Sequence, residues 1–69
     1  MKLKELLSSI YAGDKLSEVS IEDNGCLVIE DTMISNLSYD LYKSLGDRAV
    51  KSVGALGLGN FFISLTPSN

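Results

Sequence analysis

The sequence predicts a small α+β domain: an antiparallel sheet of about four strands in the order α-β-β-α-β-β, with an N-terminal helix and a short middle helix on one face. Three observations lead there. A leucine/isoleucine stripe at helical spacing opens the chain. Two apolar-alternating runs flank Asp23-Asn24-Gly25, and a third alternating run follows a Gly-rich turn near the end.

Leu3, Leu6, Leu7 and Ile10 fall at i, i+3, i+4 and i+7, with Lys2, Lys4, Glu5, Ser8 and Ser9 on the opposite face. Gly13 is a natural stop. A helix of about ten residues is marginal alone in water, so its stripe must dock on the sheet.

Glu18–Asp31 reads as a β-hairpin whose register follows from its apolar pattern. A two-residue Asn24-Gly25 turn sets Ile21 against Val28 and Val19 against Glu30. A three-residue loop with Gly25 in the left-handed position pairs Ile21 with Leu27 and Val19 with Ile29. That second register gathers four apolar side chains on one face and is the expected one. The other face then carries Glu18, Ser20, Glu22, Cys26, Val28 and Glu30.

Thr32–Asn36 is a connection. Ser38 can cap a short helix with Asp40 in its first turn, Lys43 in its last and Gly46 beyond its end. Leu37 and Tyr42 fit a hydrophobic staple, and Leu41 and Leu45 are expected to face the core. Arg48–Ala55 and Asn60–Leu65 read as a strand pair around Leu-Gly-Leu-Gly-Asn, with Phe61, Ile63 and Leu65 on one face and Phe62 and Ser64 on the other. Two readings of Arg48–Ala55 stay open: a helix running on through Gly46, or a strand bulged between Val50 and Val53. Thr66–Asn69 is expected to be a frayed tail.

A chain of 69 residues holds one domain, 1–69. At this size only about 60% of the unfolded surface is buried, and stability usually needs a helper. The single cysteine, Cys26, allows no internal disulfide, and without histidine there is no zinc site. Self-association, as a homodimer or larger, is the helper left. Six basic and nine acidic residues give a net charge of −3 with no Lys/Arg run, which counts against nucleic acid as a partner. The apolar run of the opening segment is short and interrupted by Glu5, unlike a secretion signal. No stretch approaches the roughly 20 apolar residues of a membrane span. A cytoplasmic protein is expected, and the sequon Asn36-Leu37-Ser38 is then chance.

Residues that could carry chemistry are few. Ser20–Asp31 aligns partly with a calcium loop, through Glu22, Asn24, Gly25, Leu27 and Asp31. Ser20 replaces the first aspartate, Asp31 the bidentate glutamate, and the flanks alternate as strands, so the window is a hairpin. Cys26 has acidic neighbours and no base, so it is no nucleophile. The glycines of Gly54–Gly59 lack the Lys-Ser/Thr and following helix of a phosphate loop and read as a turn. As a ligand site, Gly57, Gly59 and Asn60 would line a small pocket between subunits. No catalytic residue, metal or cofactor is expected, because strand-face carboxylates lack the cleft that raises one pKa. An apolar surplus remains: Val28 and Phe62 point outward, and Leu56 and Leu58 sit in the turn. Together they suggest a partner surface.

The Met-Lys-Leu-Lys-Glu-Leu-Leu opening, the charged hairpin, the Leu-rich helix ending in Gly46-Asp47-Arg48, then Ala49–Val53 and a final Ile63-Ser64-Leu65 strand together resemble short orphan proteins of bacteriophages and prophages. The resemblance covers Met1–Leu65 in style, without a diagnostic motif, and transfers no functional residue. It implies binding of a bacterial host protein, for example to inhibit or modulate a defence factor. With the self-association and the lack of catalytic groups read above, the expectation is a non-catalytic homo-oligomer acting in the host cytoplasm. The expected partner surface is Glu18, Glu22, Val28, Glu30 and Phe62. The alternatives are a binder or sponge for a nucleotide or signalling molecule, and a phage structural or assembly subunit.

Overall fold

A computed structural model describes residues 1–67. Helix α1 (Leu3–Gly13) buries Leu3, Leu6 and Leu7, as its stripe predicts. The first amides of a helix lack partners within it, and here the chain after the second helix supplies them. Leu3 N–H donates to the Arg48 carbonyl and Lys4 N–H to the Gly46 carbonyl, both at 2.9 Å. The Glu5 side chain accepts from Lys2 N–H at 2.8 Å.

Strands β1 (Glu18–Asp23) and β2 (Cys26–Met33) form the first hairpin, and β3 (Val50–Gly57) and β4 (Asn60–Leu65) the second. Each hairpin is antiparallel, but β1 and β4 meet in parallel. The sheet is therefore mixed, in the order β2-β1-β4-β3, rather than wholly antiparallel. A 3₁₀ turn (Ile34–Asn36) and α2 (Tyr39–Leu45) make the crossover between the hairpins.

The first hairpin corrects the expected register. Asp23 pairs with Cys26, so the turn is the two-residue Asn24-Gly25, with both residues at positive φ (54° and 79°). That is the backbone an Asn-Gly turn favours, and its twist suits the strands. Two irregularities in β2 then restore the apolar phase, setting Ile21 opposite Ile29 and Val19 opposite Thr32. Leu27 lands opposite Glu22 and stays 49% exposed, outside the core.

Helix α2 starts as predicted, with Ser38 Oγ accepting from Leu41 N–H at 3.1 Å. Tyr42 and Leu45 pack against the core; Leu41, expected there, is half-buried away from it. The helix does not run on through Gly46. That buried glycine receives α1, and Ala49 and Val50 pair with Lys2 and Met1. Residues 50–57 are a strand with the expected bulge, so Val50 and Val53 lie opposite Leu65 and Ile63 on one face. Thr66 is not frayed: its N–H donates to the Ala49 carbonyl at 2.8 Å and its carbonyl accepts from Arg48 at 3.0 Å. Ser68 and Asn69 of the expected tail lie outside the described residues.

The core forms where α1 meets the two central strands. Leu3, Leu6 and Leu7 cover Val19, Ile21, Ile63 and Leu65, with Ile34, Leu37, Tyr42 and Leu45 closing its rim. Burying each such aliphatic side chain stabilises the fold by about 1.5–3 kcal/mol. Both helices lie on this face, leaving the other uncovered by any helix among the described residues.

Candidate functional site

Strand alternation places Glu18, Ser20 and Glu22 of β1, and Asn60, Phe62 and Ser64 of β4, on the face away from the helices. The parallel register sets Ser20 beside Phe62, and β3 sets Gly54 on the other side of Phe62. Phe62 is half-buried. Met33 opposes Glu18 and Leu27 opposes Glu22, so acidic and apolar groups alternate across this face.

The first hairpin is charged with one sign. Glu18–Met33 contains five of the nine acidic residues and no basic one. Asp23 is neutralised by Arg48, whose guanidinium holds its carboxyl below the usual carboxylate range, chiefly by hydrogen bonding. Among the described residues, Glu18, Glu22, Glu30 and Asp31 join no ion pair.

Ser20 was expected on an open face, yet it is 3% exposed. Its hydroxyl accepts from Asp31 N–H at 3.0 Å and donates to Asp31 Oδ1 at 3.4 Å. Asp31 sits at φ 44°, in the left-handed region, at one irregularity of β2. The serine thus ties down the strained residue that re-phases the strand. A lone serine between valine and isoleucine carries no sequence signal for this role.

Of the residues expected to meet a partner, Glu18, Glu22 and Phe62 share the uncovered face. Val28 (42% exposed) and Glu30 lie on β2, the edge strand beside it. Leu56 and Leu58 do not extend this patch, because β3 is the opposite edge of the sheet. Gly57, Gly59 and Asn60 form the end of the second hairpin, with Gly59 at φ 71°. Asn60 Oδ1 is buried there without a hydrogen-bond partner among the described residues.

Two clefts between α1 and α2 were not foreseen. Leu7, Ser8, Tyr11, Ile34, Ser35 and Tyr42 line one of about 270 Å³. Lys4, Tyr39, Tyr42, Lys43, Gly46 and Asp47 line another of about 320 Å³. All three tyrosines of the chain stand here, and Lys43 Nζ lies 5.6 Å from the Tyr39 ring centre. The charged groups of the second cleft are already engaged: Lys4 Nζ reaches Asp47 at 2.9 Å, raising the lysine's pKa and lowering the aspartate's. Tyr39 and Tyr42 line this cleft together, whereas in the sequence Tyr42 reads as the staple partner of Leu37 and Tyr39 carries no reading.

Comparison with protein-family models, with curated proteins and with solved structures finds no match for this chain. Among the described residues, no helix is long and apolar enough to cross a membrane.

Proposed function

We propose that this is a non-catalytic binding protein, phage-encoded and acting in the host cytoplasm as a homo-oligomer. It engages a bacterial host protein, such as a defence factor, that presents a basic surface to the uncovered sheet face. One observation carries the reading: Glu18 and Glu22, outside any ion pair among the described residues, share an uncovered sheet face with the half-buried Phe62 and the exposed Leu27. Glu30 and Asp31 add two more such carboxylates on the adjoining edge strand. Complementary charge speeds encounter and selects partners, while a desolvated aromatic supplies affinity.

The test is capture of a partner from bacterial lysate, by wild type and by the Glu18→Lys/Glu22→Lys/Glu30→Lys variant. The reading expects capture that weakens as salt rises and is lost in the variant. Capture unaffected by both would overturn it.

A second reading is favoured by Asn60 Oδ1, a buried acceptor that no donor among the described residues reaches, in the same turn as Gly57 and Gly59. There a small ligand with an N–H or O–H donor, a nucleotide or signalling molecule, would be held. Thermal shift with a nucleotide panel tests it, since a ligand at 100 times its Kd adds about 2.7 kcal/mol. No shift across the panel would dismiss it.

A further inference from the structure

The two edges of the sheet differ in a way that selects a partner for one of them. β2 and β3 each have eight residues against six in the central strand they pair with, and each takes up the surplus in two irregularities. In β2 these fall between Val19 and Ile21 and between Ile21 and Glu22 of the facing strand, so no more than two consecutive residues stay in step. It also carries Glu30 and Asp31. Bulges and charges of this kind are how natural proteins blunt an edge.

In β3 the irregularities sit at the two ends, at Lys51 and Leu56, and Ser52–Ala55 runs in unbroken register against Phe61–Ser64. The chain start covers only the beginning of this strand, where Val50 N–H donates to the Met1 carbonyl at 2.9 Å. Every residue from Lys51 to Leu58 is exposed, and Ser52–Leu58 contains no charge. Val53, Leu56 and Leu58 are 47%, 63% and 106% exposed.

We propose that β3 pairs with β3 of a second copy, antiparallel, over Ser52–Ala55. This gives a continuous eight-stranded sheet with all helices on one face. The occupant follows from charge. A two-fold antiparallel contact gathers the residues around its axis, so β2 on β2 centred at Glu30 or Asp31 would bring like charges together, whereas β3 on β3 centred at Val53 or Gly54 sets no like charges opposite one another. A two-fold axis through an antiparallel pair sets one residue opposite itself, and within the regular run that residue is Val53 or Gly54. Val53 then meets its own mate or Ala55 of the second copy, covering apolar surface left open in one chain.

The inference specifies the self-association in the functional reading but does not depend on partner capture. The contact is smaller than a standard interface of about 800 Å² per partner, so it is read at high micromolar protein. Sedimentation equilibrium should show the mass rising from 7.4 kDa toward twice that value with concentration. Ser52→Glu/Ala55→Glu should hold it at 7.4 kDa with unchanged circular dichroism, while Val28→Lys on β2 leaves association intact.

Cross-linking tests the register without relying on a disruptive variant. In a Cys26→Ser background, Val53→Cys and Gly54→Cys are oxidised in turn. Opposed residues of an antiparallel pair lie about 4.5–5.5 Å apart at Cα, within disulfide reach. A Cβ at Gly54 meets nothing within 4 Å. One of the two should give a disulfide-linked dimer and Cys26 alone should not. A monomer at millimolar concentration, association broken by Val28→Lys, or failure of both cysteines to cross-link would each overturn the proposal.

Discussion

Arg48 grips the carboxylate of Asp23 with two parallel hydrogen bonds, at 2.8 and 3.0 Å, across 25 residues of sequence. The same guanidinium donates to the Thr66 carbonyl at 3.0 Å. One side chain therefore ties the end of the first hairpin to the end of β4 and to the link entering β3. Both partners are about one-fifth exposed, so solvent screens them less than the surface pair Lys4–Asp47.

Removing either partner should lower the melting temperature, and Arg48→Lys should recover little because an ammonium cannot form the fork. A double-mutant cycle over Asp23→Ala and Arg48→Ala should show positive coupling, larger than the cycle over Lys4→Ala and Asp47→Ala. Equal coupling for the two pairs would show that geometry and burial contribute nothing here.

The same pairs set a pH dependence. Hydrogen bonds from Arg48 and Lys4 hold the Asp23 and Asp47 carboxyls below their ordinary values. Their stabilisation is complete above the unfolded carboxylate pKa of about 3.9 and is lost as pH falls below it, through the lower folded values. Lys4 is shifted upward by its bond to Asp47, so its contribution is complete below about pH 10.4 and lost as pH rises through the folded value. Chemical denaturation should give a plateau at neutral pH with an acid limb that shrinks in Asp23→Asn. An unchanged acid limb in that variant would place the titration elsewhere.

The junction of the helices predicts an intolerant glycine. A Cβ at Gly46 would lie 2.6 Å from the Tyr42 carbonyl oxygen and 3.4 Å from Lys4 Cβ. Backbone cannot yield as a flexible side chain can, so Gly46→Ala should destabilise by about 1–3 kcal/mol. Gly13, with nothing within 4 Å of its would-be Cβ, is the control: Gly13→Ala should change stability by less. Denaturant midpoints of the two variants decide it.

Elements whose signal is local were legible. The Leu3, Leu6, Leu7 stripe, the Ser38 cap, and the Phe61, Ile63, Leu65 alternation each depend on neighbours a few residues away, and each stands as read. The register of β2 was not legible, because the strand contains two irregularities that the alternation of apolar residues does not reveal. The Asn24-Gly25 turn chemistry was the stronger clue, and the strand bent to suit it. The parallel β1–β4 pair, the Arg48–Asp23 fork and the tyrosine-lined cleft all join distant segments, for which one sequence offers no pattern. Of the expected partner surface, the sequence alone placed Glu18 and Glu22 together; that Phe62 stands beside Ser20 needed the strand order.

The Ser20 hydroxyl is the least conspicuous group in the fold and carries a specific prediction. Without it, Asp31 N–H loses its acceptor while the residue stays at φ 44°. Leaving a partly buried donor unpaired costs about 1–3 kcal/mol, so Ser20→Ala should destabilise by an amount in that range despite removing one atom. Asp31→Gly relieves the left-handed strain but keeps the amide donor for Ser20, so it should cost less than Ser20→Ala. Amide exchange should show the loss confined first to the Glu30–Asp31 region of β2. If Ser20→Ala unfolded no more readily than wild type, the irregularity would be held by the Asn24-Gly25 turn alone.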